Sequence, residues 1–173
     1  MDNILLNIQA LSVVIPTDEG LVQPVRDISF SIFRGKTLGV VGESGCGKSM
    51  TGLSLLQLIP KPGYIKYGGI EYFREGISSP IRIDQLSGDQ DELREIRGNK
   101  IAMVFQEPMS SLNPVYTIGD QIGEAVRLHQ GKGKKEARNY AIEMLDRVGI
   151  PGPQQRIDEY PHQLSGGMRQ RAM

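Results

Sequence analysis

The spacing of apolar residues changes character along the chain, and the change divides it. Ile4 to Ile15 is a mostly apolar run. Pro24 to Phe33 alternates, with Val25, Ile28, Phe30 and Ile32 set among polar residues. A period of two marks a strand with one face covered. Thr17-Asp18-Glu19-Gly20 between these runs is a turn, so the pair predicts an antiparallel hairpin. Arg34-Gly35-Lys36 turns the chain into a short apolar strand, Thr37 to Val41. A glycine-rich stretch follows, then a helix-like segment from Met50 to Leu58 that Pro60-Lys61-Pro62-Gly63 ends. Tyr64 to Phe73 is a further strand, interrupted by Gly68-Gly69. Residues 74–90 are polar and irregular. Ser87 to Arg97 predicts a short helix stopped by Gly98. Lys100 to Phe105 is a continuous apolar run, as in a parallel strand covered on both faces.

Beyond this point the period lengthens. Ile118, Ile122, Ala125, Val126 and His129 follow helical spacing after Thr117, a candidate N-cap. Ala137, Tyr140, Ala141, Met144, Leu145 and Val148 repeat it, and Gly149 with Pro151 ends that helix. The two amphipathic helices predict a helical region separate from the sheet. His129 lies on an apolar face and reads as a packing residue rather than a ligand. No internal repeat or low-complexity tract interrupts the pattern.

Bulk composition narrows the partners. The chain has 173 residues, with 20 Lys+Arg and 20 Asp+Glu, so its formal net charge is zero. No basic excess supports nucleic-acid binding. No apolar run reaches the length of a membrane span, and the N-terminus lacks a signal-peptide pattern, so a membrane role is expected to be peripheral. Cys46 is the single cysteine, which excludes an intrachain disulfide and points to a reducing compartment. It lies near Lys48 and a helix start, and the simpler reading is a small loop residue.

The glycine-rich stretch carries the strongest chemistry. Gly42-Glu43-Ser44-Gly45-Cys46-Gly47-Lys48-Ser49 fits the pattern G-x-x-x-x-G-K-S, between a predicted strand and a predicted helix. Gly42, Gly45 and Gly47 let the backbone curl until successive N–H groups point inward, at a helix N-terminus that favours anions. Lys48 reaches β- and γ-phosphates, and the Ser49 hydroxyl is placed to ligate Mg²⁺. This predicts binding of a nucleoside triphosphate, with Met50 opening the helix behind the loop.

Two later segments select the class of protein. Ser165, Gly166 and Gly167 in Leu164-Ser165-Gly166-Gly167-Met168 repeat the same physics, exposing a hydroxyl and N–H groups at a helix start. Phe105-Gln106-Glu107-Pro108 puts a glutamine directly after the apolar strand. Together with the phosphate loop, these segments resemble the signature and Q-loop of ATP-binding cassette (ABC) ATPases. Longer phrases, Leu38 to Gly45, Glu92 to Gly98, Met103 to Pro114 and Tyr160 to Arg171, look like the ATPase subunits of bacterial dipeptide, oligopeptide and nickel importers.

The resemblance implies an α/β fold, a P-loop NTPase core with an N-terminal antiparallel β subdomain and a helical subdomain. Its parts would be 1–36 and 64–73 for the β region, 37–59 and 100–106 for the P-loop core, and 115–173 for the helical subdomain. ATP and Mg²⁺ are the implied cofactors, with Gln106 touching the metal and the attacking water. The implied partners are transmembrane permease subunits, met through the Q-loop and helical region, and a second ATPase subunit in a head-to-tail dimer. The implied place is the cytoplasmic face of the inner membrane.

Two departures from the family pattern carry expectations. Ile15 stands where the family has an aromatic residue that stacks on adenine, so weaker nucleotide affinity is expected. The sequence ends at Met173, before the strand carrying Asp-Glu and before the switch histidine. The expectation is a chain that holds ATP without hydrolysing it, with the runs 37–41 and 100–105 left unpaired and prone to aggregation. The alternative reading is a non-catalytic nucleotide-binding or interaction fragment. A DNA-repair cassette is disfavoured by the absence of a long coiled coil between Gln106 and Leu164, and a GTPase or kinase by Leu164 to Met168.

Overall fold

The computed structural model describes residues 3–77, 79–87, 91–105 and 111–173. It divides into two compact units, Met1–Arg97 and Gly98–Met173.

Unit 1 is built on the predicted hairpin. β1 (Ile4–Thr17) and β2 (Gly20–Phe33) pair antiparallel, from Ile4 opposite Phe33 to Thr17 opposite Gly20. Both strands run almost to the turn, further than the apolar pattern indicated. Halfway along, Ala10 and Asp27 each adopt φ 48°, and the register shifts between Ile8 and Leu11. The N–H groups that leave the ladder there find hydroxyls instead. Ser29 Oγ accepts from Ala10 N at 2.8 Å, and Ser12 Oγ accepts from Asp27 N at 2.8 Å.

β3 (Tyr64–Tyr72) pairs with the other edge of β1, and β4 (Ile81–Arg82) pairs with β3, giving the order β2-β1-β3-β4. Gly68-Gly69 does not interrupt β3. Gly68 sits at φ 103°, and a Cβ there would stand 2.6 Å from Ala10 O and Leu11 Cα. Glycine is what lets β3 close against the bulge of β1. β4 and the 3₁₀ turn Ile83–Gln85 lie in a stretch that reads as irregular, because two residues are too few to show a period. Asp84 fastens them, accepting from Ile70 N at 2.7 Å and from Arg82 Nε at 3.0 Å. Ile8, Leu11, Val13 and Ile70 of the strands and Ile83 of the 3₁₀ turn are fully buried.

Two helices complete unit 1. α1 (Lys48–Leu55) follows the glycine loop as predicted. α2 (Asp91–Ile96) occupies part of the predicted 87–97 helix and buries Leu93 and Ile96; it ends before Gly98, which adopts φ 79°.

The two short strand-like runs are left unpaired, as expected, and neither is a strand. Residues 36–43 and 102–105 have no ladder, Val41 is 95 % exposed and Val104 is 86 % exposed. An apolar run becomes a strand only beside a neighbour with a matching row of N–H and C=O groups. No strand among the described residues borders either run.

Unit 2 is helical. α3 (Ile118–Gln130) and α4 (Lys134–Arg147) are the two amphipathic helices, followed by α5 (Pro153–Arg156) and α6 (Gly166–Ala172). Thr117 caps α3 as predicted, its hydroxyl accepting from Asp120 N at 3.1 Å. Gly149 adopts φ 70° beyond α4. Ile118, Ala141, Leu145, Ile150, Ile157 and Leu164 form the core. His129 is half-buried and packs at Gly98, where a Cβ would stand 2.8 Å from its Nε2.

Candidate functional site

The loop from Gly42 to Ser49 wraps the N-terminus of α1. Gly45 and Gly47 adopt φ 81° and 95°, the left-handed conformations that glycine tolerates. Gly47 is the N-cap of α1, so no side chain caps the first turn, and that turn holds no acidic residue. The helix therefore presents uncompensated N–H groups and the positive end of its dipole to the loop.

Three contacts hold this geometry. A Cβ at Gly47 would stand 2.1 Å from Pro24 O, so the loop backbone lies directly against β2. Thr51 returns two bonds to Gly47 O, from N at 2.8 Å and from Oγ1 at 3.0 Å. Lys48 Nζ lies back across the loop, donating to Gly42 O and Glu43 O, both at 2.7 Å, with Cys46 Sγ at 3.5 Å. The ammonium thus stands over the curled backbone where an anion would enter. Ser49 is exposed in the first helical turn. Pro24 and Thr51 escape a sequence reading because they act through backbone contacts; only the β-branched hydroxyl four residues after Gly47 is a visible signal.

The remaining predicted residues fall as follows. Glu43, Ser44 and Cys46 are exposed on the loop, and Met50 is half-buried behind it. Ile15 pairs with Val22 near the hairpin tip, half-buried, with its Cγ1 3.1 Å from where a Cβ on Gly63 would stand. Gln106 lies outside the described residues. In unit 2, Ser165 is the N-cap of α6, its Oγ accepting from Met168 N at 3.3 Å. Gly166 and Gly167 have open space around their Cα atoms.

The segment that precedes Ser165 is braced by charge. Asp158 accepts a bidentate pair from Arg138 of α4, at 2.6 and 2.7 Å. That hydrogen bonding holds the Asp158 carboxyl below its ordinary pKa and the Arg138 guanidinium above its own. Both groups are largely exposed, so the pair adds little stability and loses it only as acid protonates Asp158. Among the described residues no group of three His, Cys, Asp or Glu side chains could hold a metal. The Ser49 hydroxyl is a hard oxygen donor exposed at the start of α1.

Known structures and sequences resemble this chain. An ATP-binding cassette solved as a dimer in a post-hydrolysis state, bound to ADP and Pi, aligns with a TM-score of 0.77 at 24% identity. The alignment covers 97% of this chain and 66% of that one. A dimeric bacterial ABC transporter cassette gives a TM-score of 0.75 at 24% identity, with the same coverage. At that identity the likeness establishes the fold alone, that of ATP-binding cassettes. A Brucella abortus (strain 2308) protein named for peptide import ATP-binding is 50% identical over 169 residues, 97% of this chain and 49% of its own length. Namesakes in Brucella melitensis biotype 1 and Brucella suis biovar 1 are also 50% identical over 169 residues, covering 97% and 98% of this chain and 49% and 48% of their own lengths. The chain spans about half the length of these curated relatives. The ABC transporter family model matches residues 25–173, which is most of the sequence. With the phosphate loop, the capped Ser165-Gly166-Gly167 turn and the cassette fold, the chain belongs to the ABC transporter family.

Proposed function

We propose that this chain is the nucleotide-binding part of an ATP-binding subunit that powers import of peptides. The observation that carries the proposal is the uncapped N-terminus of α1, wrapped by Gly42–Ser49 and covered by Lys48. Backbone N–H groups and the Lys48 ammonium bind the β- and γ-phosphates. Ser49 ligates the Mg²⁺ that travels with them, and Gln106 is assigned to the metal and the attacking water. The relatives named for peptide import support the cargo class.

In the full assembly ATP is shared. The loop of one subunit faces Ser165–Gly167 of a second, and closure on ATP drives the permease. The exposed hydroxyl-and-glycine turn at the start of α6 supports the first contact. Exposed Val115, Tyr116 and Leu128 on unit 2 support a docking surface for the membrane subunits. No helix among the described residues is long and apolar enough to cross a membrane, in keeping with a peripheral place on the cytoplasmic face.

Titration of the chain with a fluorescent ATP analogue in Mg²⁺ tests the reading. Lys48→Ala weakens binding by about tenfold or more, since a charge-assisted bond to phosphate contributes roughly 1.5–3 kcal/mol. Equal dissociation constants for the two proteins would overturn it. The base end gives a second, opposite result. Ile15→Phe tightens ATP by about threefold to tenfold, because a stacked aromatic adds roughly 0.5–1.5 kcal/mol beyond its area. The same titration, run against inorganic tripolyphosphate, shows no gain for Ile15→Phe; a gain there, or none with ATP, removes Ile15 from the base site.

A further inference from the structure

The far end of the phosphate-loop helix is fastened by residues the nucleotide site does not use. α1 closes with Gln57 in the left-handed conformation, φ 50°. Leu58 N donates to Leu53 O at 2.8 Å and Gln57 N to Ser54 O at 3.1 Å. These are the paired bonds of a Schellman end, and they satisfy two of the last carbonyls. Arg97 takes two more. Its Nε donates to Leu56 O at 2.8 Å and its Nη2 to Gln57 O at 2.9 Å. The guanidinium fork thereby places a fixed positive charge at the negative end of the α1 dipole.

Glycine normally occupies such a left-handed position, and any other residue there costs about 1–2 kcal/mol. The side chain of Gln57 accounts for its presence. Its Nε2 donates to Leu86 O at 2.8 Å and also to Ile83 O. So the helix end is tied on one side to the turn after β4 and on the other to α2. α2 is itself seated, with Leu93 and Ile96 buried. Arg97 is the last residue of that unit, and Gly98 follows it at φ 79°. α1 is a short rod, about 12 Å long at 1.5 Å per residue. One end is the phosphate cradle, and the other is held by Arg97.

We propose that Arg97 couples α2 to the phosphate-loop helix, pinning α1 to α2 so that a triphosphate seated at one end of the rod also stiffens α2 at the other. The proposal rests on the nucleotide reading of Gly42–Ser49. A ligand that engages the N–H groups of α1 removes freedom from the whole helix. A bidentate pin passes that loss of freedom to its partner, where a single flexible contact would absorb it.

Hydrogen–deuterium exchange of the whole chain, with and without Mg²⁺-ATP, tests this in the wild type, Arg97→Gln and Arg97→Lys. In the wild type ATP slows exchange at 43–51 and, by about fivefold, at 91–97. In Arg97→Gln the slowing at 43–51 persists and the slowing at 91–97 is lost. Arg97→Lys keeps the charge without the fork and gives an intermediate value. A merely structural role for Arg97 would raise exchange in α2 equally with and without ATP, leaving the ATP-dependent difference intact, and that result overturns the proposal. Protection of the loop without protection of α2 in the wild type overturns it too. If circular dichroism shows Arg97→Gln unfolded, Arg97→Lys decides, with full wild-type slowing as the refuting result. ATP that protects neither segment refutes the nucleotide reading itself, and the proposal with it.

Discussion

Gly47→Ala weakens nucleotide binding by about a hundredfold, while the chain keeps its secondary structure. Two costs combine at this position. Its φ of 95° is a conformation that L side chains rarely adopt, and the added Cβ would stand 2.1 Å from Pro24 O. The obstacle is backbone oxygen of β2, so it cannot rotate aside. The start of α1 must move off β2, carrying Lys48 and Ser49 with it. A combined penalty of about 2–3 kcal/mol corresponds to a loss of affinity on the order of a hundredfold. Gly45 provides the contrast. It also has a left-handed φ, 81°, but nothing lies within 4 Å of its Cβ direction. Gly45→Ala therefore pays strain without collision, and weakens binding less. Titration with Mg²⁺-ATP, with circular dichroism as the control, separates the two; equal affinities for Gly47→Ala and wild type would refute the β2 contact as the element that seats the loop.

The second large effect concerns stability in unit 2. Gly119 lies in the first turn of α3, and on helix propensity alone Gly119→Ala should gain about 1 kcal/mol. The packing reverses the sign. A Cβ at Gly119 would stand 2.4 Å from Ile157 Cγ1 and 2.7 Å from Ile157 O. Ile157 is fully buried, and its carbonyl accepts from Gly119 N at 2.8 Å. Ile118 N adds a bond to Glu159 O at 2.9 Å, so the two backbones are locked together. Overpacking at such a site costs about 1–3 kcal/mol and outweighs the propensity gain. Gly123, one turn later, has only Ala137 Cβ near its missing side chain, at 3.9 Å. Gly123→Ala is neutral or stabilising. Urea unfolding followed by circular dichroism gives the order Gly123→Ala, wild type, Gly119→Ala; Gly119→Ala unfolding at or above the wild-type midpoint contradicts it.

Sequence and structure agree where information is local. The hairpin was legible because Thr17-Asp18-Glu19-Gly20 sits between two strand-like patterns, and α3 because Thr117 precedes a helical stripe. The glycine loop was legible because its φ angles demand glycine at fixed spacing. Thr37 to Val41 lies unpaired, as expected, despite its strand-like composition. What escaped depends on partners distant in sequence. Gly68-Gly69 reads as an interruption, and only the bulge of β1 turns it into a requirement for close approach. Arg97 lies in a polar segment whose role appears only when the carbonyls of Leu56 and Gln57, some forty residues earlier, are seen beneath it.

The posture of Lys48 has a thermodynamic consequence. Its ammonium carries three donors: two rest on Gly42 O and Glu43 O, and the third faces Cys46 Sγ at 3.5 Å. A lysine free in solvent surrenders up to about 2 kcal/mol of rotamer entropy when a ligand captures it. Here that freedom is already spent before any ligand arrives. An anion at the loop would draw on the long third contact, to Cys46 Sγ at 3.5 Å, from a side chain that has nothing further to organise. Lys48 is thus a strut of the empty loop as much as a grip on its contents, and its loss would slacken the cradle as well as discharge it.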